Sequence, residues 1–90
     1  MAVLMTARIP GGTKEMIDGI TSQLREALRN SPGFVTHVDG PVNGDWQVVE
    51  VWDSREQFET WFENRVRPAF PEGAPTPEMT FSEVNEVIAR

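Results

Sequence analysis

Ninety residues, 39% hydrophobic and 24% charged, describe one small globular domain over 1–90 with a thin core, since a chain this size buries only about 60–65% of its unfolded surface. The formal net charge of −6 argues against nucleic acid or an anionic membrane surface as partner. With no cysteine, disulfides, thiolate chemistry and zinc–thiolate sites are excluded.

The first residues, MAVLMTARIP, carry no basic leader and too short an apolar run for a signal peptide. No stretch reaches the roughly 20 apolar residues of a membrane span, so a soluble, cytoplasmic protein is expected. Val3–Arg8 is the first strand candidate, ended by the breakers Ile9-Pro10-Gly11-Gly12. Thr13 then stands where a helix N-cap belongs, with Glu15 in the first turn. Ile17, Ile20, Leu24 and Leu28, flanked by Met16 and Ala27, recur at three- and four-residue steps. They predict an amphipathic helix of about four turns, ending at Asn30-Ser31-Pro32-Gly33. Gly11-Gly12-Thr13-Lys14 lacks the spacing of a phosphate-binding loop and reads as a turn plus a cap.

Phe34–Trp52 reads as a hairpin with Asn43-Gly44 at its tip, because both central residues of a type I′ turn need positive φ. Counting outward pairs Val42 with Asp45, Pro41 with Trp46, Asp39 with Val48, Val38 with Val49, His37 with Glu50, Thr36 with Val51 and Val35 with Trp52. Pro41 falls at a non-hydrogen-bonded position, where its missing N–H breaks no bond. Side chains alternate, so Thr36, Val38, Val49 and Val51 share one face. The other face carries Val35, His37, Trp46, Val48, Glu50 and Trp52, an imidazole beside a carboxylate between indoles.

Ser54 with Gln57 three residues on is a capping box that starts a second helix. Phe58, Trp61, Phe62, Arg65 and Val66 give its buried stripe, and Pro68 ends or bends it. Pro71–Pro77 is a proline-rich loop, either a linker or a rim to a pocket. Glu78–Ile88 reads as a last strand with a bulge near Ser82-Glu83. The order β-α-β-β-α-β predicts an α+β, ferredoxin-like fold: a four-stranded antiparallel sheet with two helices on one face. The third strand is apolar on both sides, and two helices cover only one face. A homodimer whose sheets pack together is therefore expected.

His37 is the single histidine, so no multi-histidine metal site can form. From the residues, two roles stand open. It is a strand histidine bonded to Glu50, or a base whose tautomer Glu50 fixes while the other ring nitrogen takes a substrate proton. Trp46, Trp52 and Trp61 are core residues or walls for a flat conjugated ligand. Asn64 and Arg65 near the end of the second helix, and Asn85 on the last strand, are further candidates for polar contacts.

IPGGT before an amphipathic helix, PGF-x-x-H-x-x-GP, W-x-VVEVWDS-x-E-x-F and WF-x-x-R-x-RPAF together resemble the antibiotic biosynthesis monooxygenase-like branch of the dimeric α+β barrel proteins, from Ile9 to about Val87. The resemblance implies a homodimer with a pocket between helices and sheet of each subunit. The superfamily includes cofactor-free oxygenases, haem-degrading enzymes, isomerases, cyclases and members without known activity. The cofactor-free oxygenases are associated with tryptophan, asparagine, arginine and tyrosine; no tyrosine exists here. The haem-degrading branch relies on a helix histidine, whereas His37 reads as a strand residue. The expectation is thus a homodimeric, cofactor-independent enzyme, without metal, flavin or haem, acting on an aromatic or polyketide-like small molecule by proton abstraction. His37 and Glu50 would be catalytic, Trp46, Trp52 and Trp61 would hold the rings, and Asn64 or Arg65 would steady an oxyanion. Oxygenation is the leading outcome. Isomerisation or cyclisation, and a non-catalytic dimer that binds a hydrophobic ligand or is structural, are the alternatives.

Overall fold

Asn43 and Gly44, at φ 46° and 82°, turn the chain back on itself and set the register of the hairpin. In the computed structural model, which describes residues 1–90, the strands are β1 (Val3–Ile9), β2 (Phe34–Val42), β3 (Asp45–Trp52) and β4 (Glu78–Glu83). They form one antiparallel sheet in the order β2-β3-β1-β4. Helix α1 (Lys14–Arg29) connects β1 to β2, and α2 (Arg55–Trp61) follows β3. The β-α-β-β-α-β arrangement is that of the ferredoxin-like fold.

Local chemistry starts each helix. The Thr13 hydroxyl accepts from the Met16 N–H at 3.3 Å, and the Ser54 hydroxyl accepts from the Gln57 N–H at 3.2 Å. The Gln57 side chain closes its box differently from expectation: its Oε1 accepts a bond from the Ser54 hydroxyl at 3.0 Å.

Hairpin pairing follows the count from the turn as far as Thr36 opposite Val51. There a bulge intervenes, so Phe34, not Val35, lies opposite Trp52. The Phe34 ring meets Trp52 edge-on at 5.6 Å, and Val35 is left 42% exposed. Strand β4 is shorter than the pattern suggested, and its pairing with β1 runs unbroken from Val3–Glu83 to Arg8–Glu78. Strand β1 begins at Val3, so the later residues have no ladder to join beyond one bond from the Val84 N–H to the Ala2 carbonyl. Asn85 therefore lies past the strand, not on it.

The face covered by the helices carries Met5, Ala7, Ile9, Trp46, Val48, Glu50, Trp52, Met79 and Phe81. Trp52 is fully buried, edge-on to Phe58 at 5.8 Å and tilted against Trp61 at 6.3 Å. The two large indoles of β3 thus lie under the helices. The other sheet face holds smaller groups, among them Leu4, Thr6, Val38, Val49 and Thr80, with Val38 62% exposed. After Trp61 the second helix widens into a π-helical turn, Phe62–Val66, and tightens into a 3-10 turn, Arg67–Ala69, around Pro68. No helix is long and apolar enough to cross a membrane.

A Cβ at Gly44 would meet nothing within 4 Å, so the cost of Gly44→Ala is that of its positive φ alone, about 1–2 kcal/mol. Gly40→Ala, in the same hairpin, also meets open space but lacks positive φ. Urea unfolding of both variants is expected to show the loss for Gly44→Ala only.

Candidate active site

Because β2 and β3 pair His37 with Glu50, and strand side chains repeat every two residues, His37, Asp39 and Glu50 all point to the helix side. Glu50 sits in the middle of the sheet with Met5 on its other flank, and only 5% of it is exposed. A carboxylate this deep needs partners for both oxygens. The Trp52 indole N–H donates to Oε1 at 2.8 Å, and His37 Nδ1 donates to Oε2 at 2.6 Å. The other ring nitrogen, Nε2, donates to Asp39 Oδ2 at 2.6 Å, while Asp39 Oδ1 accepts from the Trp46 indole at 3.0 Å. The result is a continuous chain: Trp52, Glu50, His37, Asp39, Trp46. No buried side-chain nitrogen or oxygen lacks a partner.

Ionised carboxylates only accept, so an imidazole held between two of them must carry a proton on each nitrogen. The imidazolium form of His37 is accordingly favoured, its pKa raised above the ordinary histidine value. The hydrogen bond to Glu50 is the largest cause. Burial opposes it, and Asp39 adds to it. Two carboxylates against one imidazolium leave the cluster with one excess negative charge.

This cluster forms part of the wall of a cavity of about 460 Å³ between α1, the second helix and the sheet. Its walls are mostly apolar, from Ile17, Ile20 and Leu24 on one side to Phe62 and Met79 on the other. The exposed residues on its lining are Arg25 and Arg29 of α1 and Val35, Thr36 and Asp39 of β2, which places the mouth between that helix and that strand.

The sequence-derived site residues separate into three groups. His37, Glu50 and Trp61 line the cavity. Trp46 and Trp52 do not; they stand behind it, donating to the two carboxylates. Asn64 and Arg65 face a separate cleft of about 230 Å³ with Ser31 and Gln57, and Asn85 lines neither space. Ordinary helical spacing puts both Arg65 and Val66 on the stripe of Phe58, Trp61 and Phe62; with the turn widened to a π helix, Val66 lines the cavity and Arg65 does not. Asp39 escaped sequence reasoning, although its position two residues after His37 put both on one face. Arg25, beside the apolar stripe of α1, escaped it too.

No protein-family model and no curated protein matches the chain. Solved structures do match. The chain is similar to a mutant of SnoaB, a cofactor-independent oxygenase from Streptomyces nogalater, at 14% identity, with 99% of this chain and 98% of that one covered and a TM-score of 0.69. It is similar to a monooxygenase from the gene ActVA-Orf6 of Streptomyces coelicolor, solved with nanaomycin D, at 16% identity, with coverage of 98% and 91% and a TM-score of 0.71. The heme-degrader MhuD of Mycobacterium tuberculosis, with two hemes in its active site, matches at 24% identity, with coverage of 99% and 100% and a TM-score of 0.65. In fold the chain thus resembles the antibiotic biosynthesis monooxygenase-like members of the ferredoxin-like superfamily. Proteins of this shape include a cofactor-independent oxygenase and a heme-degrader, so shape alone does not select the chemistry. The single histidine has both ring nitrogens on carboxylates, so neither is free to serve as an axial ligand to a haem iron.

An NMR titration of His37 is expected to give a midpoint above 6.5, lowered in Asp39→Asn and lowered further in Glu50→Gln, the larger cause. A raised histidine pKa stabilises the fold fully below about pH 6.5, and that stabilisation is lost as pH rises through the folded-state value. His37→Gln should therefore lose more stability relative to wild type at pH 5.5 than at pH 9, measured by urea unfolding.

Proposed function

We propose that this chain is a cofactor-independent enzyme of monooxygenase type that removes a proton from an aromatic or polyketide-like small molecule. The observation that carries the reading is the carboxylate–imidazolium–carboxylate chain on the wall of an otherwise apolar cavity. It refines the expected role of His37. With both nitrogens engaged, the imidazole is not free to accept a proton, and the acceptor is the cluster as a whole. The outer carboxylate, Asp39, takes the proton, which brings the cluster from one negative charge to neutrality. The His37 imidazolium, backed by Glu50, then remains to stabilise the substrate anion.

For an activated methylene flanked by phenol or carbonyl groups, the carbanion passes one electron to dioxygen, and the two radicals combine into a peroxide. Protonation and loss of water leave a carbonyl, so that R₂CH₂ and O₂ give R₂C=O and H₂O. Dioxygen is the oxidant and no other reductant is required. Oxygenation is carried forward over the isomerase or cyclase alternative because two proteins of this shape, SnoaB and the ActVA-Orf6 monooxygenase, are oxygenases. The same reading includes a homodimer, formed through the sheet face that carries exposed Val38 and its neighbour Val49.

Turnover of an anthrone under air and under nitrogen tests the reaction. The expected result is oxygen-dependent quinone formation that falls by about 10²–10⁴-fold in Asp39→Asn, with the fold retained. Full turnover without oxygen would favour isomerisation or cyclisation; wild-type rates in Asp39→Asn would remove the cluster from the chemistry. For the dimer, Val38→Asp is expected to shift the sedimentation coefficient to that of a monomer.

A further inference from the structure

Beside the apolar stripe of α1 runs a second, polar one. Thr21, Arg25 and Arg29 follow one another at four-residue intervals, so they are neighbours along one helix face, and all three line the cavity. The ion pairs of α1 are Lys14 with Asp18 and Arg29 with Glu26; neither engages Arg25. An unpaired guanidinium on the mouth of an apolar cavity is notable in a chain of net charge −6. It is more notable because the sheet wall of the same cavity holds the cluster with an excess negative charge, which repels an anionic ligand.

We propose that Arg25, with Thr21 one turn before it, receives a carboxylate, so that the cavity selects elongated aromatic acids. A planar carboxylate accepts two parallel N–H bonds from the Arg25 fork, and the Thr21 hydroxyl adds a third donor. Charge orients such a ligand: its acid lies on the α1 side of the mouth, against Arg25, and its rings reach across the cavity to the β2 side, where they meet Asp39 and His37. This assignment of substrate class rests on the proposed proton-abstracting site, because it supplies the end-to-end orientation which that site needs.

The test is equilibrium binding of anthraquinone-2-carboxylate and of its uncharged primary amide to the full chain, followed by tryptophan fluorescence, since Trp61 lines the cavity. Wild type is expected to bind the acid at least about fivefold more tightly than the amide at low salt, a preference that shrinks as salt rises. Arg25→Gln, an exposed change between good helix formers, is expected to abolish the preference while leaving amide binding as it was. Lys14→Gln removes a cation from the same helix but not from the cavity, and should leave the preference intact. Equal binding of acid and amide by wild type overturns the proposal, as does a preference that survives in Arg25→Gln or binding of neither probe. An acid preference lost in Arg25→Gln without any turnover of anthrones would sustain the proposal and instead sink the oxygenase reading. Turnover without acid preference would do the reverse.

Discussion

A carboxylate under the helices is the constraint from which the rest of this structure follows. Glu50 occupies the central part of β3 on the covered face, among residues that are otherwise apolar. An ionised group there is tolerated only if each oxygen has a strong donor, and removing one partner of such a buried pair costs about 3–5 kcal/mol. The fold meets this need from two directions. Trp52, two residues along the same strand, supplies an indole N–H, and His37, across the ladder, supplies a ring N–H. The second placement requires the hairpin register to be correct to the residue, since a slip by one would turn His37 to the opposite face. The two positive φ angles at Asn43 and Gly44 are therefore upstream of the electrostatics.

Stability alone gives little reason to keep such a group. Replacing a buried ionic cluster by apolar side chains of similar volume is often neutral or stabilising, and a thin-cored chain of this size has little stability to spare. The cavity points the same way. A space of about 460 Å³ lies beside Phe62 and Met79, where closer packing of α1 onto the sheet would have buried more apolar surface. The molecule thus departs from the most stable arrangement twice, and at one place. That coincidence is what a ligand site looks like in energetic terms.

Much of this was legible in the residues, and the reason is the short range of the signals. The Asn-Gly turn, the Thr13 and Ser54 caps and the Ile17-Ile20-Leu24-Leu28 stripe each act within a few positions, and each survives into the structure. The failures have a common form: a periodicity carried past the point where geometry changes. The bulge beside Val35 ended the count along β2, so Phe34 took the place opposite Trp52. The π turn after Trp61 ended ordinary helical spacing, and Arg65 faces another cleft. The last strand stopped at Glu83 because β1 offered no more partners, which a pattern within β4 cannot reveal. Trp46 and Trp52 illustrate a different limit. Sequence placed them on the correct face, but only coordinates show that their N–H groups, not their ring faces, serve the site.

Asp39 changes what kind of acid–base group this cluster can be. A histidine with a single carboxylate behind it has a free nitrogen and accepts a proton near neutral pH. Capped on both nitrogens, it instead holds its proton more tightly, and under the proposed chemistry the substrate's proton goes to the outward-facing carboxylate. Asp39 lies at the mouth, its side chain 22% exposed in the free protein. Under the proposed chemistry a flat ligand that fills the mouth would strip water from Asp39 while the buried His37–Glu50 pair stays as it is. Proton abstraction under that chemistry is then confined to the loaded cavity, where water no longer competes for the outer carboxylate.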